Sequence, residues 1–162
     1  MIYCVTQDLD RTDLKILREL QRDGRLPVIA LADKVSLSAT ACLRRVKKLE
    51  ESGVIEGYTA RLNSEKLGLQ IQAFIQVRIE RQSKDVAESF EDAVRRWPEI
   101  RACYVMTGDL DFLLHVFVAD LKAFSDFTMH TLIGLPGVKD IRSSLVLESI
   151  KPDEGFGWRT VK

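Results

Sequence analysis

Cysteine is scarce in this chain of 162 residues: Cys4, Cys42 and Cys103 make up the set, with no CxxC pair among them. An odd, scattered set excludes a disulfide framework and reads as free thiols in a reducing compartment, so the cytoplasm is the expected location. Long apolar runs are absent too, and none approaches the roughly 20 residues that a membrane helix needs. The opening residues, Met1-Ile2-Tyr3-Cys4-Val5-Thr6-Gln7-Asp8, lack the basic start and apolar stretch of a secretory signal. Net charge is missing as well, since 24 Lys+Arg balance 24 Asp+Glu. No global field therefore attracts nucleic acid or a membrane. Residues 1–63 hold 11 basic against 9 acidic side chains and the remainder 13 against 15, a split too small to decide function. What matters is where the cations sit.

Catalytic constellations are lacking. There are two histidines, His115 and His130, with no HxH or HxxxH spacing and no cysteine partner for a metal. No glycine-rich phosphate loop and no GxSxG motif occurs. The expectation is a chain without catalytic residues, metal or cofactor.

Residues Leu9 to Asp23 carry Leu9, Ile16, Leu17 and Leu20 at the spacing of one helix face. Asp10 can cap that helix, and Gly24 can end it in the left-handed conformation. Pro27 suits the first turn of a short second helix reaching about Val35, with Leu31, Ala32 and Val35 inward. Ser38 can cap a third helix through Ser52, closed by Gly53. Three short helices with a tight turn before the last make a helix-turn-helix. Val54 to Leu62 then reads as a short β segment anchored by Tyr58 and Leu62. The domain boundary is expected in the polar stretch that follows, giving a DNA-binding domain over 1–63 and a second domain over 64–162.

The second domain opens on the clearest strand signal in the chain. Ile71, Ala73, Ile75, Val77 and Ile79 alternate with Gln72, Phe74, Gln76, Arg78 and Glu80. A helix follows, with Val86, Phe90, Val94 and Trp97 on one face and Pro98 as its stop. Ile100 to Thr107 and Phe112 to Val118 read as a hairpin turning at Gly108-Asp109. Leu121 to about Leu132 is a second helix, and Val138 to Ile150 the last strand. The order βαββαβ predicts an α+β, ferredoxin-like sandwich with helices on one sheet face. Phe74, on the other face, points to cover from another subunit. The tail after Lys151 reads as loose, with Phe156 and Trp158 as side chains that can dock.

A helical wheel of the third helix places Ala39, Cys42, Leu43, Val46 and Leu49 on the packed side. Thr40, Arg44, Lys47 and Lys48 fall opposite, with Arg45 on a flank; all five, with Ser36 and Ser38, are the expected DNA contacts. No acidic residue lies between Asp33 and Glu50, so the outward face is purely basic. Major-groove reading needs such a face: short polar groups such as Ser36, Ser38 and Thr40 reach base edges or phosphates, arginine forks match guanine or phosphate, and lysines neutralise the backbone. A solvated basic face in a protein–protein module is the plainer alternative. Its place on the third helix of a capped tri-helical unit favours double-stranded DNA.

Leu9-Asp10-Arg11-Thr12-Asp13, Leu20-Gln21-Arg22-Asp23-Gly24-Arg25, Leu31-Ala32-Asp33-Lys34-Val35, Arg44-Arg45-Val46-Lys47-Lys48-Leu49-Glu50 and Gly53-Val54-Ile55-Glu56-Gly57-Tyr58 follow one another in order. Gly108-Asp109-Leu110-Asp111-Phe112-Leu113-Leu114 and Leu135-Pro136-Gly137-Val138 come later. Together they resemble the leucine-responsive regulatory protein/AsnC family of bacterial and archaeal transcription regulators over nearly the whole chain. The resemblance implies a dimer built through the β-sheet domains, often a disc of four dimers. It also implies an effector, commonly an amino acid, bound between neighbouring dimers. The positions matching that pocket are Val105, Met106, Gly108, Asp109, Asp111, Ser143, Ser144, Leu145 and Val146. Gly108-Asp109 can equally be a plain hairpin turn braced by Asp111.

Two departures stand out. Ile141-Arg142-Ser143 replaces the family's frequent Thr-x-Thr, and Ala39 stands where proline often follows the recognition-helix serine. Siroheme decarboxylases resemble the same two-domain family and would use a histidine such as His115, but the basic third helix has no use in such an enzyme. An architectural protein that wraps DNA broadly would use that helix in the same way.

Overall fold

The computed structural model describes residues 9–80, 84–151, 153, 155 and 156. The chain divides into two compact units. One holds the residues up to Arg61 together with those after Ile150, and the other spans Leu62–Ile150.

In the first unit, α1 (Arg11–Arg22), α2 (Val28–Val35) and α3 (Ala39–Glu51) surround a core of Ile16, Leu31, Ala32, Val35, Cys42, Val46 and Leu49. Asp10 starts α1 with a reciprocal cap: its carboxylate accepts from the N–H groups of Thr12 and Asp13, while the Asp13 carboxylate accepts from Asp10 N–H. Helix α1 does not end in a left-handed Gly24. Its exit is an Asx turn, in which Asp23 Oδ1 accepts from Arg25 N–H at 2.9 Å, so the side chain supplies the turn that a glycine was expected to make. Pro27 is the cap of α2 rather than its first turn. Among the described residues Ser36 is the one non-glycine with a positive φ, at 58°, which aims the chain sharply from α2 into α3.

The expected β segment at 54–62 is not a strand. Among the described residues no strand lies beside it to complete a ladder. Tyr58 and Leu62 are exposed, and the Tyr58 hydroxyl donates to Glu50 at 2.9 Å. Burial and that bond push the hydroxyl pKa up to about 12.

The second unit opens on a 3₁₀ turn, Glu65–Leu67, and then runs β1 (Ile71–Ile79), α4 (Lys84–Val94), β2 (Ile100–Val105), β3 (Phe112–Val118), α5 (Leu121–Asp126) and β4 (Val138–Leu145). The antiparallel sheet has the order β2-β3-β1-β4, so the two strands that are first and third in sequence lie at its centre. Period-two patterning sends Ala73, Ile75, Val77, Phe112, Leu114, Val116 and Val118 to one face, where they pack with Phe90, Val94, Phe124, Phe127 and Leu132. These are the expected positions of a ferredoxin-like core.

Helix α5 departs from regularity. Residues Phe127–Leu132 continue it as a π-helix, with Ile133 N–H reaching Thr128 C=O at 3.1 Å. The buried Thr128 hydroxyl donates back to Phe124 C=O at 2.9 Å, and this widens the turn. The approach to β4 depends on Gly137, whose φ is 83° and whose absent Cβ would fall 2.0 Å from Val86 on α4.

The other sheet face carries an aromatic row. Phe74 stacks on His115 with centroids 4.6 Å apart, and Phe117 tilts against the same imidazole at 4.8 Å. Gln72 Nε2 lies 2.7 Å from His115 Nε2. Burial, helped by the Arg101 charge, pushes the His115 pKa down and favours its neutral form. Cys42 is buried and Cys103 half-buried, both as free thiols, while Cys4 and Trp158 lie outside the described residues. Among the described residues no helix is long and apolar enough to cross a membrane.

Candidate nucleic-acid interface and effector site

Helix α3 is built from a serine cap and a buried stripe. Ser38 Oγ accepts from Ala41 N–H at 3.3 Å, and Cys42, Val46 and Leu49 fill the core at 0–7 % exposure. Ala39 and Leu43, expected on the packed side, are exposed instead, Leu43 at 42 %. The contact with α1 and α2 is narrow, and only the 42/46/49 ridge reaches it, because that row lies on one side of a 3.6-residue helix.

The opposite side is the expected basic face. Thr40, Arg44, Lys47 and Lys48 are all exposed, and the three cations form no ion pair among the described residues. Arg44 stands three and four residues before Lys47 and Lys48, so the three share one surface. No acidic side chain occupies the first turn of α3, which leaves its N-terminal dipole open to an anion. Ser36 and Ser38 flank that end, Ser36 in the left-handed turn and Ser38 as the cap.

Arg45 behaves differently. Its Nη1 lies 2.7 Å from Asp10 and 2.8 Å from Asp13, so its charge is engaged within the unit. The same two carboxylates cap α1, which ties the start of α1 to the middle of α3. Asp13 N–H donation above all, then the Arg45 bond, lowers the Asp10 pKa below the ordinary 3.8. Lys34 and Glu19, at 2.8 Å, tie α2 to α1 in the same way. No local spacing announces the Arg45 tie, because its partners are 35 and 32 residues away in sequence.

The second site lies at the β2–β3 hairpin. Gly108 turns with φ at 103°, and Met106 N–H donates to Asp111 C=O at 2.9 Å. Asp111 Oδ2 accepts from Ile79 N–H at 2.9 Å, and its own N–H donates to Val77 C=O at 3.0 Å. Asp111 thus pins the hairpin to β1 where the β1–β4 register slips, between Arg78 and Ile79. The Asp109 carboxylate has no such engagement among the described residues. It lines a cavity of about 520 Å³ with Gly108, Asp111, Arg78, Ile79, Glu80 and Lys139.

Arg78, Glu80 and Lys139 went unmarked in the sequence, because they meet only through pairing of β1 with β4. Val105 and Met106 flank the hairpin, exposed at 73 % and 39 %. Ser143, Ser144 and Leu145 pair instead with Ile75, Phe74 and Ala73, and Val146 N–H donates to Gln72 C=O. The two halves of the expected pocket therefore sit about four residues apart along β1, roughly 13 Å at strand rise.

Both units match known domain families. Residues 9–56 match winged helix-turn-helix DNA-binding domains, and residues 72–156 match the Lrp/AsnC ligand binding domain. The leucine-responsive regulatory protein of Escherichia coli K12 is 43 % identical over 145 residues, 90 % of this chain and 88 % of that protein. That of Klebsiella pneumoniae matches to the same extent. A Neisseria meningitidis transcriptional regulator, solved as a complex with L-Met, is 47 % identical with a TM-score of 0.86, covering 89 % of this chain and 93 % of that one. An AsnC family regulator from Agrobacterium tumefaciens is 39 % identical with a TM-score of 0.83, covering 88 % and 93 %. These relatives are regulators rather than enzymes.

Two outcomes are expected. Because the folded pKa of Asp10 is lowered, its contribution to stability is whole above about pH 4 and is lost as pH falls through the folded value. Arg45→Ala should therefore lower the urea midpoint at pH 7, and its difference from wild type should shrink below pH 3.8, the ordinary value. Asp111→Ala leaves the part-buried Ile79 N–H without its acceptor and should cost about 1–3 kcal/mol. Asp109→Ala should stay within about 0.5 kcal/mol of wild type in the same titration.

Proposed function

The chain belongs to the Lrp/AsnC family of transcription regulators, and we propose that α3 is its DNA-reading helix and that the Gly108–Asp111 hairpin takes a small effector. The observation that carries the first half is the exposed row Thr40, Arg44, Lys47 and Lys48, free of acidic neighbours from Asp33 to Glu50. Ser36 and Ser38 stand at the end that enters the major groove. There the Arg44 fork reaches a base edge or phosphate while the lysines track the backbone. Arg45 is a positioning residue that holds α3 to α1.

The effector is an amino acid or a related zwitterion. In support, the hairpin cavity carries both signs of charge: Arg78 and Lys139 suit a carboxylate, and Asp109 suits an ammonium. Val105 and Met106 offer apolar contact beside it. An effector that also reaches Ser143, Ser144, Leu145 and Val146 has to bridge the hairpin of one copy and the last strand of another. This is the placement between dimers that the family resemblance implies. The half-buried Phe74, His115 and Phe117 support a dimer through the open sheet face, with a neutral imidazole suited to burial there. Four such dimers, a cytoplasmic location and no catalytic role complete the reading.

Fluorescence anisotropy on the protein's own upstream duplex and on a scrambled one tests it. Arg44→Ala should weaken binding to the upstream duplex by about 1–3 kcal/mol with the helical circular dichroism unchanged. Unchanged affinity in a folded Arg44→Ala protein would mean that α3 is not the reader. Equal affinity of the wild-type protein for both duplexes would favour an architectural role instead.

A further inference from the structure

The first unit has an apolar groove that neither DNA reading nor effector binding uses. Its floor is a flank of α1 at the edge of the core: Leu14, Leu17 and Leu20 recur at helical spacing, and Leu17 and Leu20 also pack against the buried cluster. Val54, Ile55 and Tyr58, from the extended segment after α3, form the opposite wall. The groove holds about 470 Å³. Tyr58 is held in that wall by its hydroxyl bond to Glu50, so the groove is pre-formed.

The C-terminal segment arrives at its entrance. Asp153 Oδ1 accepts from Gly155 N–H at 2.9 Å and makes a turn. Gly155 then takes φ at 88°, the left-handed region that favours glycine. Gly155 also lies hard against α1, since a Cβ there would fall 2.8 Å from Cγ of Gln21. Gln21 Nε2 donates to Phe156 C=O at 3.0 Å. Phe156 lines the groove, yet its side chain is 86 % exposed, so it marks the entrance without filling the space. Six residues, 157–162, follow it, among them Trp158 and Val161.

We propose that this groove is the docking site of the chain's own C-terminal segment, entered at Gly155-Phe156 and occupied by the apolar side chains that follow. The segment leaves the effector unit after β4 and fastens to the reading unit, so the two are joined by a non-covalent strap as well as by the covalent connection at Arg61-Leu62. The groove uses none of Thr40, Arg44, Lys47 and Lys48, and the docked segment is therefore compatible with DNA on α3.

The test is a full-length Gln21→Cys, Gly155→Cys protein. A Cβ on residue 155 would fall 2.8 Å from Gln21 Cγ, one bond from Gln21 Cβ, which puts the two positions within reach of a disulfide, whose Cβ atoms stand about 3.5–4.5 Å apart. Mild oxidation should give a faster monomer band on a non-reducing gel, absent from either single variant, and the cross-linked protein should keep its DNA affinity within about twofold. A covalent dimer would overturn the proposal by assigning the groove to a partner's tail. Loss of DNA binding on cross-linking alone would overturn the compatibility with α3. As a second readout, amide hydrogen exchange at Leu17–Arg22 should rise several-fold in Phe156→Asp and Trp158→Asp variants, and unchanged exchange in both would overturn the docking. Failure of the reduced protein to bind any duplex would count against the DNA-reading assignment and leave the strap to be judged by the gel and the exchange.

Discussion

One arginine holds the reading unit in its working shape. Arg45 reaches across from α3 to Asp10 and Asp13, the two carboxylates that also build the cap of α1. Capping and tertiary contact thus share the same two carboxylates, one oxygen of each serving the cap and the other serving Arg45. The three-helix unit is small, and its apolar core has seven buried residues, so one Arg45 nitrogen bridging two carboxylates carries weight beyond an ordinary surface pair. Its consequence is orientation. With Arg45 turned inward on one flank and Cys42, Val46 and Leu49 on the core side, Arg44, Lys47 and Lys48 have nowhere to go but out.

The same economy of roles recurs in the effector unit. Asp111 hydrogen-bonds the edge of the β1 bulge and so fixes the hairpin. Its neighbour Asp109 is then left facing a cavity lined by Arg78 and Lys139. Two carboxylates two residues apart have separated into a brace and a cavity-facing group. The serines of the last strand pair with Ile75 and Phe74, further along β1, and an effector that spans both places, as proposed, links binding to assembly.

The sheet faces and most of the helix faces were legible from periodicity, since burial follows repeats of 3.6 and two, but Ala39 and Leu43 are exposed where the wheel put them on the packed side. Asp10 and Ser38 were legible as caps because capping is local chemistry. What stayed hidden was non-local. Arg45 could not be told from Arg44 by composition, and its neighbours in space lie more than thirty residues away in sequence. Arg78 and Lys139 come together only through the β1–β4 register. The exit of α1 misled for another reason: Asp23 and Gly24 are both turn formers, and the side-chain turn of Asp23 won. The expected strand over 54–62 had suitable residues but no partner strand among the described residues.

As proposed, the outward row of α3 meets DNA while Arg45 is held by Asp10 and Asp13. The most direct measurement is the salt dependence of binding to the upstream duplex for Lys47→Ala, Lys48→Ala and Arg45→Ala. Each lysine that neutralises a phosphate should lower the slope of log K against log salt by about 1, while the slope for folded Arg45→Ala should match that of the wild-type protein. Unchanged slopes for both lysine variants, or a lowered slope for Arg45→Ala alone, would contradict the account.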